Sequence, residues 1–242
     1  MDRMRIADDL RRLLGPDATW TDDHEGASDS ALRVAAGGRT YWVKHGPTAR
    51  AEHDRLRWLS TRLRAPAVVA FDDPVLVLPD LGAPSLLSAA PADIGAVFGR
   101  TLRALHDLPG CPFDGGLDTV LARAEANVRD GLVDADDFDD DHIGLTPGDV
   151  LARLRATRPR ETELVTAHGD YTPSNVLDPT DPVLIDVPAL GVADRYRDLA
   201  IAHRDLTGDF GPAAWDDFLA AYGLAEVDHS RLDYYRLLDE LL

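Results

Sequence analysis

Cysteine, lysine and long apolar runs are all scarce in this 242-residue chain. Cys111 is the single cysteine, so no disulfide can form within the chain, as suits a reducing cytoplasm. No apolar stretch approaches the roughly 18 residues that a membrane-spanning helix needs. The opening Met1-Asp2-Arg3-Met4 carries no signal-peptide core. These absences lead to the expectation of a cytoplasmic protein with no membrane partner. Net positive charge is missing too. A formal charge of −18 repels a polyanion, which argues against nucleic acid and suits a cationic partner. Solubility alone is the plainer explanation for part of that charge. The hydrophobic fraction of 45% is ordinary for a globular protein, and the length allows one large domain or two lobes.

The shortage of lysine is the most telling. Lys44 stands alone against 24 arginines. A compact, flexible ammonium suits reaching into phosphates, so its position in the fold matters. Strand signals run over Ala31–Ala36 and Thr40–His45, joined by Gly37-Gly38 as a hairpin, which places Lys44 near a strand end. A helix is predicted from about Ile6 to Leu14, stopped by Gly15-Pro16, and another from Thr48 to Leu63 carrying Glu52, Leu56 and Leu59. A second hairpin, Val68–Phe71 and Val75–Leu78, turns at Asp72-Asp73-Pro74. After the linker-like Pro79–Pro84 the pattern becomes helical. Ile94, Val97, Phe98, Leu102 and Leu105 share one face, and His106 after them reads as a packed structural histidine. Further helices are predicted at Leu117–Val128, Pro147–Ala156, Ala193–Leu206, Ala213–Tyr222 and Arg231–Leu241. The expected architecture is α+β: a small β-rich N-terminal lobe over residues 1–80 and a mostly helical C-terminal lobe over 81–242.

Of the 36 aspartates, two stand out by constellation. His168-Gly169-Asp170 is followed by Asn175 five positions after the aspartate, then by Val183-Leu184-Ile185 and Asp186. An aspartate on a tight loop, an asparagine five residues on and a second aspartate after a returning strand form the core of a phosphotransfer site. The first accepts the proton of the attacking hydroxyl, and the other two hold magnesium. The asparagine is expected on a short strand. Lys44, with Glu52 on the next helix, matches the ion pair that orients nucleotide phosphates in this chemistry. Alone, such a pair would be an exposed surface contact; ahead of Asp170, Asn175 and Asp186 it gains a function. Gly26–Ser30 lies where a phosphate-covering loop would sit, with Ser28 as a hydroxyl donor. Pro79, through its carbonyl, and Leu81, through its N–H, are placed to meet an adenine ring. The acidic run Asp134–Asp141 and the pair Asp239-Glu240 suit a polycationic acceptor, whose desolvated ammonium groups need carboxylates.

Taken together, these segments resemble the aminoglycoside 3′-phosphotransferase family, most closely its type II kanamycin/neomycin members. The likeness is densest in Val165–Asp170, Leu190–Asp198 and Tyr235–Glu240, and extends to Gly131–His142 and the Glu52–Leu59 helix. The resemblance implies a protein-kinase-like bilobal fold and ATP- and Mg²⁺-dependent phosphorylation of an aminoglycoside hydroxyl, conferring resistance. It implies Asp170 as catalytic base and Asn175 and Asp186 as magnesium ligands, with Lys44 on phosphate. Asp139, Asp140, Arg204, Asp205, Asp239 and Glu240 fall where the family lines its acceptor site. Asp194 and Asp198 are expected to brace the catalytic loop. Three positions depart from the family: Pro188 replaces a glycine, Ala189 an arginine, and Leu242 a terminal aromatic. All three concern the acceptor side. The alternatives left open are a kinase for another small alcohol and a non-catalytic nucleotide or antibiotic binder.

Overall fold

A computed structural model describes residues 12–21 and 31–242. The chain divides into two compact units. One comprises the residues through Ala83 together with Val183–Pro188; the other comprises Pro84–Pro182 and Ala189–Leu242.

The first unit is built on an antiparallel sheet of β1 (Thr19–Thr21), β2 (Ala31–Ala36), β3 (Arg39–His45), β4 (Ala70–Asp72) and β5 (Val75–Pro79), in the order β1-β2-β3-β5-β4. Gly37 and Gly38 turn β2 into β3 with φ of 56° and 73°, the left-handed region that glycine enters freely. Val34, Val43, Val75 and Val77 form the buried face of the sheet. Helix α1 (Pro47–Leu59) begins with proline in its first turn and buries Ala49, Glu52, Leu56 and Leu59 on one stripe. It stops four residues before the predicted Leu63. The Thr61 hydroxyl donates to the Trp58 carbonyl at 3.0 Å, offering the backbone an alternative to another helical turn. The predicted helix at Ile6–Leu14 lies mostly outside the described residues, and the Gly26–Ser30 loop with Ser28 lies wholly outside them.

The second unit is helical around one short antiparallel pair. Its main helices are α2 (Ile94–His106), α3 (Leu117–Arg129), α4 (Pro147–Thr157), α5 (Tyr196–Asp205), α6 (Pro212–Tyr222) and α7 (His229–Asp239). Strand β6 (Leu164–Ala167) pairs with β7 (Gly191–Asp194). The sequence pattern placed Ala193 and Asp194 in a helix. Pairing with β6 claims them as strand, and the helix starts only at Tyr196. Phe98, Leu102, Leu105, Phe218 and Tyr222 fill the core, with Phe98 stacked on Tyr171 at 4.1 Å between ring centroids.

Helices α2 and α6 approach closely because Gly95 and Gly99 lack side chains. A Cβ on Gly95 would overlap the Ala214 carbonyl oxygen, and one on Gly99 the Phe218 carbonyl oxygen. Neither obstacle is a flexible side chain that can swing away. Gly99→Ala is therefore expected to lower stability by about 1–3 kcal/mol, the range for overpacking a filled core. Thermal unfolding compared with the exposed control Gly208→Ala measures this. Equal midpoints would remove the close-approach argument.

Candidate active site

The first unit assembles a charge cluster from strand β3, the neighbouring helix α1 and the distant segment Val183–Pro188. Lys44 sits one residue from the end of β3, paired in register with Ala31 and Leu76. Its Nζ donates to Glu52 Oε1 at 2.9 Å and to Asp186 Oδ1 at 2.8 Å. Glu52 lies on the otherwise apolar stripe of α1 and is 1% exposed. A buried carboxylate there needs a cation, and Lys44 supplies it. Burial pushes the Glu52 carboxyl above its ordinary value, with Lys44 and the Val187 amide pulling the other way. Burial likewise works to lower the Lys44 ammonium, but Glu52 and Asp186 outweigh it and hold the group raised, hence charged. One ammonium faces two carboxylates, which leaves the cluster with an excess negative charge. Asp186 carries it outward: its side chain is 42% exposed, and its φ of 53° lies in the left-handed region.

Pro79 closes β5 opposite Tyr41, and Asp80 N donates to the Thr40 carbonyl at 3.0 Å. A groove of about 470 Å³ in this unit is lined by Thr40, Tyr41, Pro79, Asp80 and Gly82 among others; Leu81 does not line it. Asp80 accepts from Arg33 Nε and Nη2 at 3.0 and 2.8 Å and from Gly82 N at 3.0 Å, so this carboxylate is occupied in shaping the segment.

In the second unit β6 leads directly into the His168-Gly169-Asp170 loop, and two adjacent residues at the start of α5 clamp it. Asp198 accepts the His168 and Gly169 amides, each at 2.7 Å, and is 0% exposed. Arg197, also buried, donates to the Gly115 carbonyl at 3.1 Å and to the Gly169 carbonyl at 3.4 Å. Gly169 has a φ of 84°, and a Cβ there would come within 2.7 Å of the Ala189 carbonyl oxygen. Asp198 thus braces the loop as expected. Asp194 does not. It accepts from Thr162 N and Tyr196 N at 3.2 and 3.0 Å and pairs with Arg231, tying β7 to α7. The role of Arg197 was not foreseen, since a lone arginine beside an aspartate signals nothing by pattern.

Beyond the clamp, Asp170 is exposed and Tyr171 is fully buried, its hydroxyl donating to the Phe98 carbonyl at 2.8 Å. The residues that follow make a single 3₁₀ turn, Pro173–Asn175, before a two-residue strand. Asn175 therefore ends a turn rather than sitting on a strand as expected, because Pro173 fixes φ and Asn175 N closes onto the Thr172 carbonyl at 3.1 Å. Asn175 Nδ2 donates to the Asp170 carbonyl and to Asp170 Oδ2, both at 3.0 Å. With the NH₂ side committed to Asp170, the amide oxygen is the atom of Asn175 suited to a metal. An amide oxygen and a carboxylate are each hard donors of the kind magnesium takes, so Asn175 in the second unit and Asp186 in the first each have donor chemistry that fits that ion.

The expected acceptor residues converge only in part. A cleft of about 250 Å³ is lined by Asp139, Arg204, Asp239 and Glu240, with Leu132 and Leu242 supplying apolar wall. Asp140 lies outside this lining on an exposed 3₁₀ turn, and Asp205 reaches it only through Arg204. Arg204 bridges Asp205 at 2.8 Å and Asp239 at 2.6 Å. Glu240 accepts from Asp139 N at 3.1 Å and bonds His142 Nδ1 at 2.5 Å, a partner missed in the sequence because it trails an acidic run. Burial raises the Asp239 carboxyl against the pull of Arg204, and repulsion from Asp170 and Asp139 adds to the rise. Asp205 is raised by burial in the same way.

The model of the phosphotransferase enzyme family matches residues 19–235. An aminoglycoside 3′-phosphotransferase from Streptomyces fradiae is 38% identical, over 96% of this chain and 97% of its own length. The crystal structure of an aminoglycoside 3′-phosphotransferase of type VIII superposes with a TM-score of 0.86 at 34% identity, covering all of both chains. A 3″-phosphotransferase from Streptomyces rimosus, solved with ADP and streptomycin, gives 0.83 at 28% identity over 100% of this chain and 98% of its own. A sheet-rich unit carrying Lys44, Glu52 and Asp186, a helical unit carrying Asp170 and Asn175, and this likeness along the whole length agree: the chain belongs to the aminoglycoside 3′-phosphotransferase family of phosphotransferase enzymes.

Proposed function

We propose that this protein transfers the γ-phosphoryl group of ATP to the 3′-hydroxyl of an aminoglycoside and so confers resistance to it. The observation that carries the reading is the bond of Asn175 Nδ2 to the Asp170 carboxylate at 3.0 Å, in the same helical unit as an acidic cleft lined by Asp139, Asp239 and Glu240 that suits ammonium groups. Asp170 takes the acceptor proton while Asn175, bonded to its carboxylate, fixes the rotamer. Lys44 holds the α- and β-phosphates, kept charged and in place by Glu52. Magnesium, held by Asp186 and the amide oxygen of Asn175, would neutralise phosphate charge when bound. Residues 1–80 serve the nucleotide, with Pro79 and Leu81 at the adenine and Ser28 at the phosphates. Residues 81–242 serve the acceptor. Asp139, Asp239 and Glu240 bind ammonium groups, Arg204 and Asp205 set the charge around them, and Asp140 meets the acceptor from the exposed turn. The site of action is the cytoplasm, where the phosphoryl donor is supplied.

ADP release measured across an aminoglycoside panel tests this, with a macrolide and choline as controls and NMR of the product to locate the phosphate. Turnover is expected with acceptors that carry a 3′-hydroxyl and not with their 3′-deoxy counterparts. Equal turnover of the two would overturn the regiochemistry. Turnover of choline alone would move the enzyme to another acceptor class.

A further inference from the structure

Behind the clamped loop lies a buried hydrogen-bonded chain that the transfer mechanism above leaves unused. His106, the last residue of α2, was expected to be a packed histidine, and its side chain is only 2% exposed. Both of its ring nitrogens are engaged. Nε2 lies 2.9 Å from Asp198 Oδ2, and Nδ1 lies 2.8 Å from the hydroxyl of Tyr222, the last residue of α6. The two rings also meet edge to face, 5.6 Å apart at 90°. Tyr222 reaches this point because α2 and α6 approach closely; a Cβ on Gly99 would stand 3.1 Å from its backbone nitrogen.

The polarity of the chain follows from hydrogen-bond accounting. Asp198 is a pure acceptor when ionised, and it already receives the His168 and Gly169 amides. Nε2 of His106 must therefore carry a hydrogen and donate. In the neutral ring Nδ1 then accepts, so the Tyr222 hydroxyl is the donor. Burial pushes that hydroxyl's pKa up to about 12, which keeps its proton on. Without the phenol, Nδ1 would be a buried acceptor with no partner. The ring could satisfy it only by exchanging tautomer or turning away, and either move takes the donor from Asp198. That carboxylate sets both amides immediately before Asp170.

We propose that Tyr222 and His106 are positioning residues for phosphoryl transfer: the phenol fixes the imidazole tautomer that locks Asp198 against the loop presenting Asp170. The inference rests on Asp170 as the group that takes the acceptor proton. Its effect belongs in kcat, because neither residue is placed at nucleotide or acceptor.

Three variants test it: Tyr222→Phe, which keeps the ring and loses only the hydroxyl; His106→Leu; and His106→Gln, whose amide N–H can replace Nε2. With Tyr222→Phe, kcat is expected to fall about tenfold with both KM values within about twofold, since small misplacements at a reacting centre cost up to ~10²-fold. His106→Leu should fall about 10²-fold, and His106→Gln should recover at least about tenfold of that loss. Deuterium exchange in the peptide spanning residues 164–171 should quicken in Tyr222→Phe and His106→Leu. Unchanged kcat and exchange in folded Tyr222→Phe would overturn the proposal, as would equal kcat for the two His106 variants. If Asp170→Ala retained full transfer, the functional reading would fail instead, so the two failures are distinguishable.

Discussion

Asp170→Ala is expected to lower kcat for aminoglycoside phosphorylation by about 10²–10⁴-fold, the range a positioned general base contributes. ATP affinity should stay within about twofold, because the cluster of Lys44, Glu52 and Asp186 is built without Asp170. The loss has two parts. The carboxylate proposed to take the acceptor proton is removed, and Asn175 Nδ2 loses one of the two partners that fix its amide, keeping only the Asp170 backbone carbonyl. Asp170→Asn should be nearly as slow, since an amide cannot take the proton. Single-turnover kinetics with calorimetric ATP titration separate the terms. Parental transfer rates in the alanine variant would remove Asp170 from the mechanism.

The second large effect concerns stability. Asp198→Ala withdraws an acceptor that serves the His168 amide, the Gly169 amide and His106 Nε2, all buried. Each orphaned buried donor costs about 1–3 kcal/mol. The melting temperature should drop by roughly 10 °C, at ~2–4 °C per kcal/mol for a chain of this size. The same carboxyl gives a pH signature. Burial acts to raise it, but bonds and charge from His106, the nearby His168 and the Gly169 amide outweigh burial and hold it below its ordinary value. A depressed carboxyl contributes stability that is complete above the unfolded value of about 3.9 and is lost as pH falls through the folded one. Melting curves between pH 7 and pH 3 should therefore steepen on the acid side for the parent and less so for Asp198→Asn. An identical acid profile would show that Asp198 is not the group responsible.

Much of the candidate site's geometry could be read from the chain because it is written in local spacing. Asp170 and Asn175 lie five residues apart and bond each other, and Lys44 sits near the end of a hairpin strand whose glycine turn is unmistakable. The α+β division followed from the same patterns: β-hairpins before Pro79, helical periodicity after it. What escaped was decided by distant partners. Gly191–Asp194 has no pattern that separates strand from helix, and only β6, more than twenty residues earlier, makes it a strand. Asp194 and Asp198 look alike in sequence, yet one serves Arg231 on α7 and the other the His168–Asp170 loop. The acidic cleft was legible as charge but not as pairing. Arg204 already neutralises much of Asp205 and Asp239, and His142 occupies Glu240. Composition overstates the free negative charge an acceptor meets.

The segment Val183–Pro188 clusters with the first unit although chain on both sides of it belongs to the second. The Lys44, Glu52 and Asp186 cluster is therefore not a contiguous stretch of gene. A fragment ending at Ala83 would keep Lys44 and Glu52 but lose Asp186, leaving the ammonium with one of its two carboxylate partners. Three covalent crossings, after Ala83, Pro182 and Pro188, join the units, so shuffling whole lobes between relatives at one splice point would mismatch Asp186 with its lysine. Recombination within this fold has to carry six residues from the middle of one half along with the other.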